Sequence, residues 1–145
     1  MRTSVRIKKL SPDAIIPTYG TEYSAGADLY ALEGEIILPG QTKLIHTGLS
    51  MEIPQGLVGL VFARSGLATK RGLAPANKVG VIDSDYRGEI MVSLYNQSSV
   101  EQTIEKGERI AQISFVPYYA AEFELCDEIE QTIRGEGGFG STGTK

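Results

Sequence analysis

Four short segments of this chain carry residue types that could do chemistry. The first is Ala63-Arg64-Ser65-Gly66-Leu67. Ser65 has the chemistry of a helix N-cap, and a helix start exposes backbone N–H groups that suit anions. Arg64 beside it offers a charged fork matched to phosphate oxygens. The plainer reading is a cap next to a surface arginine. The second and richest segment runs Asn77-Lys78-Val79-Gly80-Val81-Ile82-Asp83-Ser84-Asp85-Tyr86-Arg87-Gly88. A hairpin here would present backbone donors and acceptors able to read a base edge. Asp83 follows Val81-Ile82, so it falls at a predicted strand end, where a buried carboxylate could serve as a general base. The plainer reading is a polar β-turn whose aspartates bond their own backbone.

The third segment, Gly107-Glu108-Arg109-Ile110-Ala111-Gln112, leads into a strand. Arg109 and Gln112 gain meaning only if they face a shared pocket. The fourth, Arg134-Gly135-Glu136-Gly137-Gly138-Phe139-Gly140-Ser141-Thr142-Gly143, satisfies G-x-G-x-x-G at Gly135, Gly137 and Gly140. That pattern binds dinucleotides only where it opens a helix within a βαβ unit, and the five residues after Gly140 leave no length for one. No Gly-Lys-Ser/Thr sequence is present, so a P-loop is excluded. A glycine-rich stretch with one arginine and one phenylalanine suits a lid: Phe139 to stack on an aromatic ligand, Arg134 and backbone N–H groups to hold phosphates. A smaller signal surrounds Asp28 in Ser24-Ala25-Gly26-Ala27-Asp28-Leu29-Tyr30-Ala31. Asp28 pairs with Arg64, faces a metal or sits in a turn; its neighbours leave the three open.

The elements that position these residues read as short strands between turn signals. Ile36-Ile37-Leu38 ends at Pro39-Gly40, then come Thr42 to Thr47 and Leu49 to Ile53, and Pro54-Gln55-Gly56 precedes Leu57 to Phe62. Val79 to Ile82, Glu89 to Tyr95 and Arg109 to Val116 follow. Within Glu89 to Tyr95, Ile90, Val92 and Leu94 share one face. Such spacing predicts an all-β antiparallel sandwich or barrel. One short helix is predicted after Ser65, through Leu67-Ala68-Thr69-Lys70, stopped by Gly72. Residues 1–133 are read as one β domain. Residues 134–145, where five of twelve are glycine, are read as a mobile C-terminal lid segment that cannot build a core.

Composition prunes the function classes. A length of 145 residues predicts one domain, and 41% hydrophobic with 22% charged residues is ordinary for a globular protein. A net charge of −4 argues against a dedicated nucleic-acid binder, yet leaves room for one phosphate pocket. One cysteine, Cys126, forms no intrachain disulfide, which fits a reducing compartment. One histidine, His46, with one cysteine excludes Cys/His zinc sites. Met1 to Leu10 holds no apolar signal core, and no stretch approaches the ~20 residues of a membrane helix. A cytoplasmic protein is expected, and Asn96-Gln97-Ser98 is read as a chance match to the glycosylation pattern.

Together the segments resemble the trimeric all-β dUTPases (deoxyuridine 5'-triphosphate nucleotidohydrolases), whose five ordered motifs are all present in order. Ala25 to Ala31 resembles the first, Arg64 to Ala68 the second, Gly80 to Gly88 the third, Gly107 to Gln112 the fourth, and Arg134 with Gly137 to Gly143 the fifth. One departure is Ala63, where many relatives have proline. The resemblance implies a jelly-roll-like β-sandwich or barrel (a β-clip) with one short helix and a flexible tail. It implies a homotrimer whose sites take motifs from all three chains. It implies hydrolysis of dUTP to dUMP and pyrophosphate by water attack on the α-phosphorus, which limits uracil in DNA and supplies dUMP for dTMP synthesis.

Residue roles follow from the same resemblance. Asp83 orients and deprotonates the water. Arg64, Ser65, Gly66 and Gln112 contact phosphates, with Arg134, Gly140, Ser141 and Thr142 helping from the tail. Asn77, Val81 and Ile82 read uracil through the backbone, joined by Met91. Tyr86 lies under the deoxyribose, and Phe139 stacks on uracil. Mg²⁺ is held mainly by the substrate phosphates, with Asp28 reaching it through water and steadying Arg64. No nucleic acid or membrane is an expected partner. Two alternatives are a non-catalytic nucleotide-binding regulatory relative and a dCTP deaminase. The latter carries a glutamate on the strand after the third motif, where this chain has Ser93.

Overall fold

The protein is described by a computed structural model over residues 3–139. Among these residues the elements are β1 (Arg6–Lys9), β2 (Thr18–Tyr19), β3 (Ala27–Tyr30), β4 (Glu35–Ile37), β5 (Thr42–Glu52), β6 (Leu57–Phe62), α1 (Ser65–Arg71), β7 (Leu73–Pro75), β8 (Gly80–Ile82), β9 (Glu89–Asn96), β10 (Gln102–Ile104) and β11 (Arg109–Pro117). A four-stranded sheet runs β1-β5-β9-β7, a five-stranded sheet runs β2-β3-β11-β6-β8, and β10 pairs with β4. Every pairing is antiparallel. The expected all-β sandwich is the fold. Leu49, Met51, Ile90, Val92 and Leu94 of the first sheet meet Ala27, Leu29, Val61 and Ile113 of the second in one core.

The alternation in β9 works as the sequence predicts. Ile90, Val92 and Leu94 are at most 2% exposed, while Met91, Ser93 and Tyr95 are half-buried. The two expected strands Thr42 to Thr47 and Leu49 to Ile53 are instead the single strand β5, broken by a register shift against β9 between His46 and Ser50. Gly48 sits in that break at φ +69°, a conformation that suits glycine. A β-bulge of this kind adds a residue and re-aims its neighbours. Asn96 is fully buried, and its amide donates to Ile37 O at 2.9 Å and Val100 O at 2.8 Å. It is a structural residue of the fold.

Two local expectations are corrected. Ser65 is the first helical residue, not the cap; Arg64 holds the N-cap position in extended backbone, and no side chain caps the helix. The stop at Gly72 is as expected, with φ +66° and its N–H bonded to the helix's last carbonyls. The segment from Asn77 to Asp83 is not a hairpin of mutually paired strands. β7 pairs with β9 in one sheet and β8 with β6 in the other, so the chain crosses between sheets there. A turn closed by Lys78 N–H to Pro75 O at 3.0 Å, with Lys78 left-handed at φ +66°, makes the crossing. No helix among the described residues is long and apolar enough to cross a membrane.

Candidate active site

Sheet register brings three of the five segments together. β3, β11 and β6 are neighbours, and Gln112 lies opposite Asp28 on one side and Phe62 on the other. Directly opposed residues share a face, so Asp28 and Gln112 point the same way just where β6 runs out into Arg64. Asp28 is a strand residue, 9% exposed, which rules out the turn reading. Its carboxylate accepts from Arg64 Nε at 2.8 Å and from Arg109 Nη1 at 3.4 Å. Burying a carboxylate is costly unless it is paired and hydrogen-bonded, and these two guanidiniums supply both.

Gln112 Nε2 donates to Ala63 O at 2.9 Å, tying β11 to the residue before Arg64. Gly26 makes this approach possible: a Cβ there would stand 2.4 Å from Gln112 Oε1. Two arginines against one carboxylate leave a net positive charge beside the first turn of α1. The Arg64 Nη groups carry no hydrogen bond among the described residues. A cluster of this kind is suited to an anion.

Arg109 was not among the residues the sequence singled out for the site. β11 shifts register between Arg109 and Ala111, so Arg109 stands opposite Tyr30. Without that bulge Arg109 would fall on the other face from Asp28, because side chains alternate. The conditional signal in the sequence was its place in Gly107 to Gln112; the bulge is what realises it. Arg71 was missed as well. Its guanidinium bonds Gln102 Oε1 at 3.0 Å, Glu108 Oε1 and Thr103 O, clamping the end of α1 to β10 and to the turn before β11.

The residues expected to read the nucleoside form a second group. Asn77, Val81 and Tyr86 are exposed and Ile82 is half-buried. Asp83 directly follows β8, as expected, but it is exposed in this chain rather than buried. Tyr86 N–H closes a turn onto Asp83 O at 3.2 Å, and Tyr86 Oη donates to Glu89 O at 3.0 Å. Met91 is half-buried in β9 opposite His46. Among the described residues no side-chain hydrogen bond or ion pair joins this group to the arginine cluster. The β6–β8 ladder connects them through backbone, with Val81 beside Leu60.

The tail stands apart from both groups. Arg134 and Phe139 are exposed, and Arg134 Nε donates to Gly137 O at 2.8 Å. Gly140, Ser141 and Thr142 lie outside the described residues. A groove of about 810 Å³ lies elsewhere, lined by Val5, Ile7, Tyr19, Tyr23, Met51 and Phe115 among others. It contains none of the predicted site residues, so the site is defined by its charged groups rather than by concavity.

Among the described residues no cluster of three or more His, Cys, Asp or Glu could hold a metal ion. Both Asp28 oxygens already accept from arginines. The donor set therefore fits a hard cation held chiefly by phosphate oxygens and water, and does not fit an all-protein cage.

Known proteins resemble this chain in sequence and in fold. The family model described as dUTPase matches residues 12–143. The deoxyuridine 5'-triphosphate nucleotidohydrolase of Desulfitobacterium hafniense (strain DCB-2) is 55% identical over 131 residues, covering 88% of this chain and 87% of that protein. The enzyme of the same name from Escherichia phage T5 is 48% identical and covers 97% of this chain and 99% of its own. The solved dUTPase of Staphylococcus bacteriophage 80alpha with dUpNHpp superposes with a TM-score of 0.92 at 29% identity, covering 99% of this chain and 100% of that one. The chain belongs to the dUTPase family.

Proposed function

We propose that this protein hydrolyses dUTP to dUMP and pyrophosphate, with Asp83 as general base and the Asp28–Arg64–Arg109 cluster as the anchor of the triphosphate. The observation that carries the reading is that cluster: a buried carboxylate holding two guanidiniums at 2.8 and 3.4 Å next to Gln112. Arg64, Ser65, Gly66 and Gln112 take phosphate oxygens. A bidentate guanidinium is well matched to them, and its hold by Asp28 reduces the reorganisation needed when substrate arrives.

In the chemical step a water oxygen forms a bond to the α-phosphorus. The bond from that phosphorus to the oxygen bridging the β-phosphate breaks, and pyrophosphate leaves. The Asp83 carboxylate takes the water's proton. Its exposure supports this role, because a base that must meet water and substrate cannot be sealed in its own core. Mg²⁺ bound to the phosphates, with Asp28 in reach through water, would neutralise charge on the triphosphate. Asn77, Val81, Ile82 and Met91 read uracil, and Tyr86 lies beneath the deoxyribose.

The working form is a homotrimer with shared sites, in the cytoplasm. Two features support sharing. Among the described residues no side-chain hydrogen bond or ion pair joins the arginine cluster to the Asp83 segment. Beyond β11 the chain also leaves large apolar side chains uncovered: Tyr119, Phe123, Leu125, Ile129 and Ile133 are each at least 85% exposed. Such a series needs cover, and a neighbouring copy supplies it. Residues 134–145 then close over a site, with Arg134, Ser141 and Thr142 on phosphates and Phe139 on uracil; Gly140 lets the backbone approach.

The deciding experiment incubates the protein with dUTP, dCTP and UTP, with and without Mg²⁺, and follows pyrophosphate and ammonia separately. Pyrophosphate from dUTP, stimulated by Mg²⁺, is the expected result. Ammonia from dCTP would assign a deaminase, and no product at all would leave a binding protein that has kept the motifs.

A further inference from the structure

Tyr86 rests on space that only a glycine can leave. A Cβ built on Gly88 would stand 2.3 Å from Tyr86 Oη, 2.5 Å from Cζ and 2.9 Å from Cε2. Real Cβ atoms do not stand this close to a neighbour, so one of the two groups must move. The backbone does not itself demand glycine at 88, because its φ is outside the left-handed region. What excludes a side chain there is the ring.

The turn that carries the ring is tied down on several sides. Tyr86 Oη donates to Glu89 O at 3.0 Å. Arg87 Nη1 donates to Ser84 O at 2.7 Å and to Tyr86 O at 3.0 Å. Ser50 Oγ donates to Arg87 O at 2.7 Å. The Glu89 carboxylate accepts from Gly48 N–H at 2.8 Å and pairs with His46 Nδ1 at 2.9 Å. Arg87 and Glu89, on either side of Gly88, are therefore both fastened to the bulged part of β5. A Cβ at 88 could not be absorbed by sliding the backbone, so the ring would have to leave.

We propose that Gly88 is a specificity-determining positioning residue: its missing side chain lets the Tyr86 ring occupy the space beside it and bond Glu89 O, and that placement sets the rejection of nucleotides bearing a 2'-hydroxyl. The proposal rests on the reading that Tyr86 lies beneath the deoxyribose. Gly88 touches no substrate in it and acts only through the ring. Displacing the ring breaks the bond to Glu89 O and opens the space that barred the hydroxyl.

The test measures the dUTP:UTP ratio of kcat/KM, with Mg²⁺, for the full chain and for Gly88→Ala, Tyr86→Ala and the double variant. Gly88→Ala is expected to lower the ratio roughly 10-fold, within the usual range for a single steric contact. In the Tyr86→Ala background the same change should alter the ratio less than about twofold, because the group it displaces is gone. An unchanged ratio in Gly88→Ala, beside a lowered one in Tyr86→Ala, overturns the proposal while leaving the reading of Tyr86 intact. An equal loss in both backgrounds also overturns it, since Gly88 would then act through the backbone. No change in Tyr86→Ala overturns the reading of Tyr86 and the proposal with it. Should Gly88→Ala fail to fold, folding of the double variant supports the ring clash, and its failure overturns it.

Discussion

The two halves of the candidate site are built by opposite means. At the end expected to hold phosphate, Asp28, Arg64, Arg109 and Gln112 stand on or just beyond three adjacent strands; Asp28 binds the two arginines at 2.8 and 3.4 Å, and Gln112 bonds Ala63 O at 2.9 Å. At the end expected to read the nucleoside, Asn77 to Tyr86 is mostly exposed and is held by the backbone bonds of its turns and by the pairing of β8 with β6. The difference follows from what each end has to do. An anion-binding arginine works best when already oriented, and the carboxylate that orients it must be paired if it is buried. A base and a nucleobase-reading edge must stay open to water and ligand until the site closes.

The comparison is broken most sharply at Asp83. Asp83→Asn is expected to cut kcat about 10²- to 10⁴-fold while dUTP still binds and the melting temperature holds, because an exposed side chain of the same shape is exchanged. Turnover at the native rate would remove Asp83 from the chemistry. Deleting residues 134–145 comes next, with a loss of about 100-fold in turnover at unchanged oligomeric mass. A truncated protein that dissociates or melts early would make the tail structural.

Asp28→Asn probes the other half and should show the reverse pattern. It strips two guanidiniums of their carboxylate, at a cost of about 1 to 2 kcal/mol after allowing for arginines that are 30% and 51% exposed. That amounts to a few degrees in a thermal scan. A melting temperature equal to that of Asp83→Asn would erase the distinction between a built end and an open one.

The smallest effect lies outside the site and sets the scale of exposed charge. A hydrogen bond from Lys106, reinforced by its charge, holds the Asp13 carboxyl below the usual carboxylate range, and one from Arg6 does the same for Glu52. A depressed carboxylate pKa adds stability that is full above the unfolded-state value and is lost as pH falls through the folded one. Asp13→Asn and Glu52→Gln should therefore lower the melting temperature slightly at pH 7, and not at all at pH 2. High salt should abolish the difference, since both pairs lie at the surface open to solvent.

Much of the fold was legible in local pattern. β6 runs from Leu57 to Phe62 as its turn signals predict, and β9 buries the alternate residues its sequence marks. Strands β1, β2, β3, β7 and β10 were not read, being two to four residues long, too short for alternation to stand out from chance. In the site, Arg64, Gln112 and Asp28 were found from their motifs, and the Asp28–Arg64 pair was one of the readings left open. Arg109 was not placed, because two-residue periodicity puts it on the wrong face.

What the sequence determined by itself was therefore whatever rests on neighbours in the chain: alternating burial, turns at glycine and proline, and the order of the chemistry-bearing segments. Tertiary structure alone decided the rest. The bulge in β11 turned Arg109 onto Asp28, the one in β5 brought Gly48 to the Glu89 carboxylate, and the crossing at Asn77 put β7 and β8 in different sheets. Each is a choice of register between strands distant in sequence. Register is set by the summed packing of a whole face, so no single segment carries its signal.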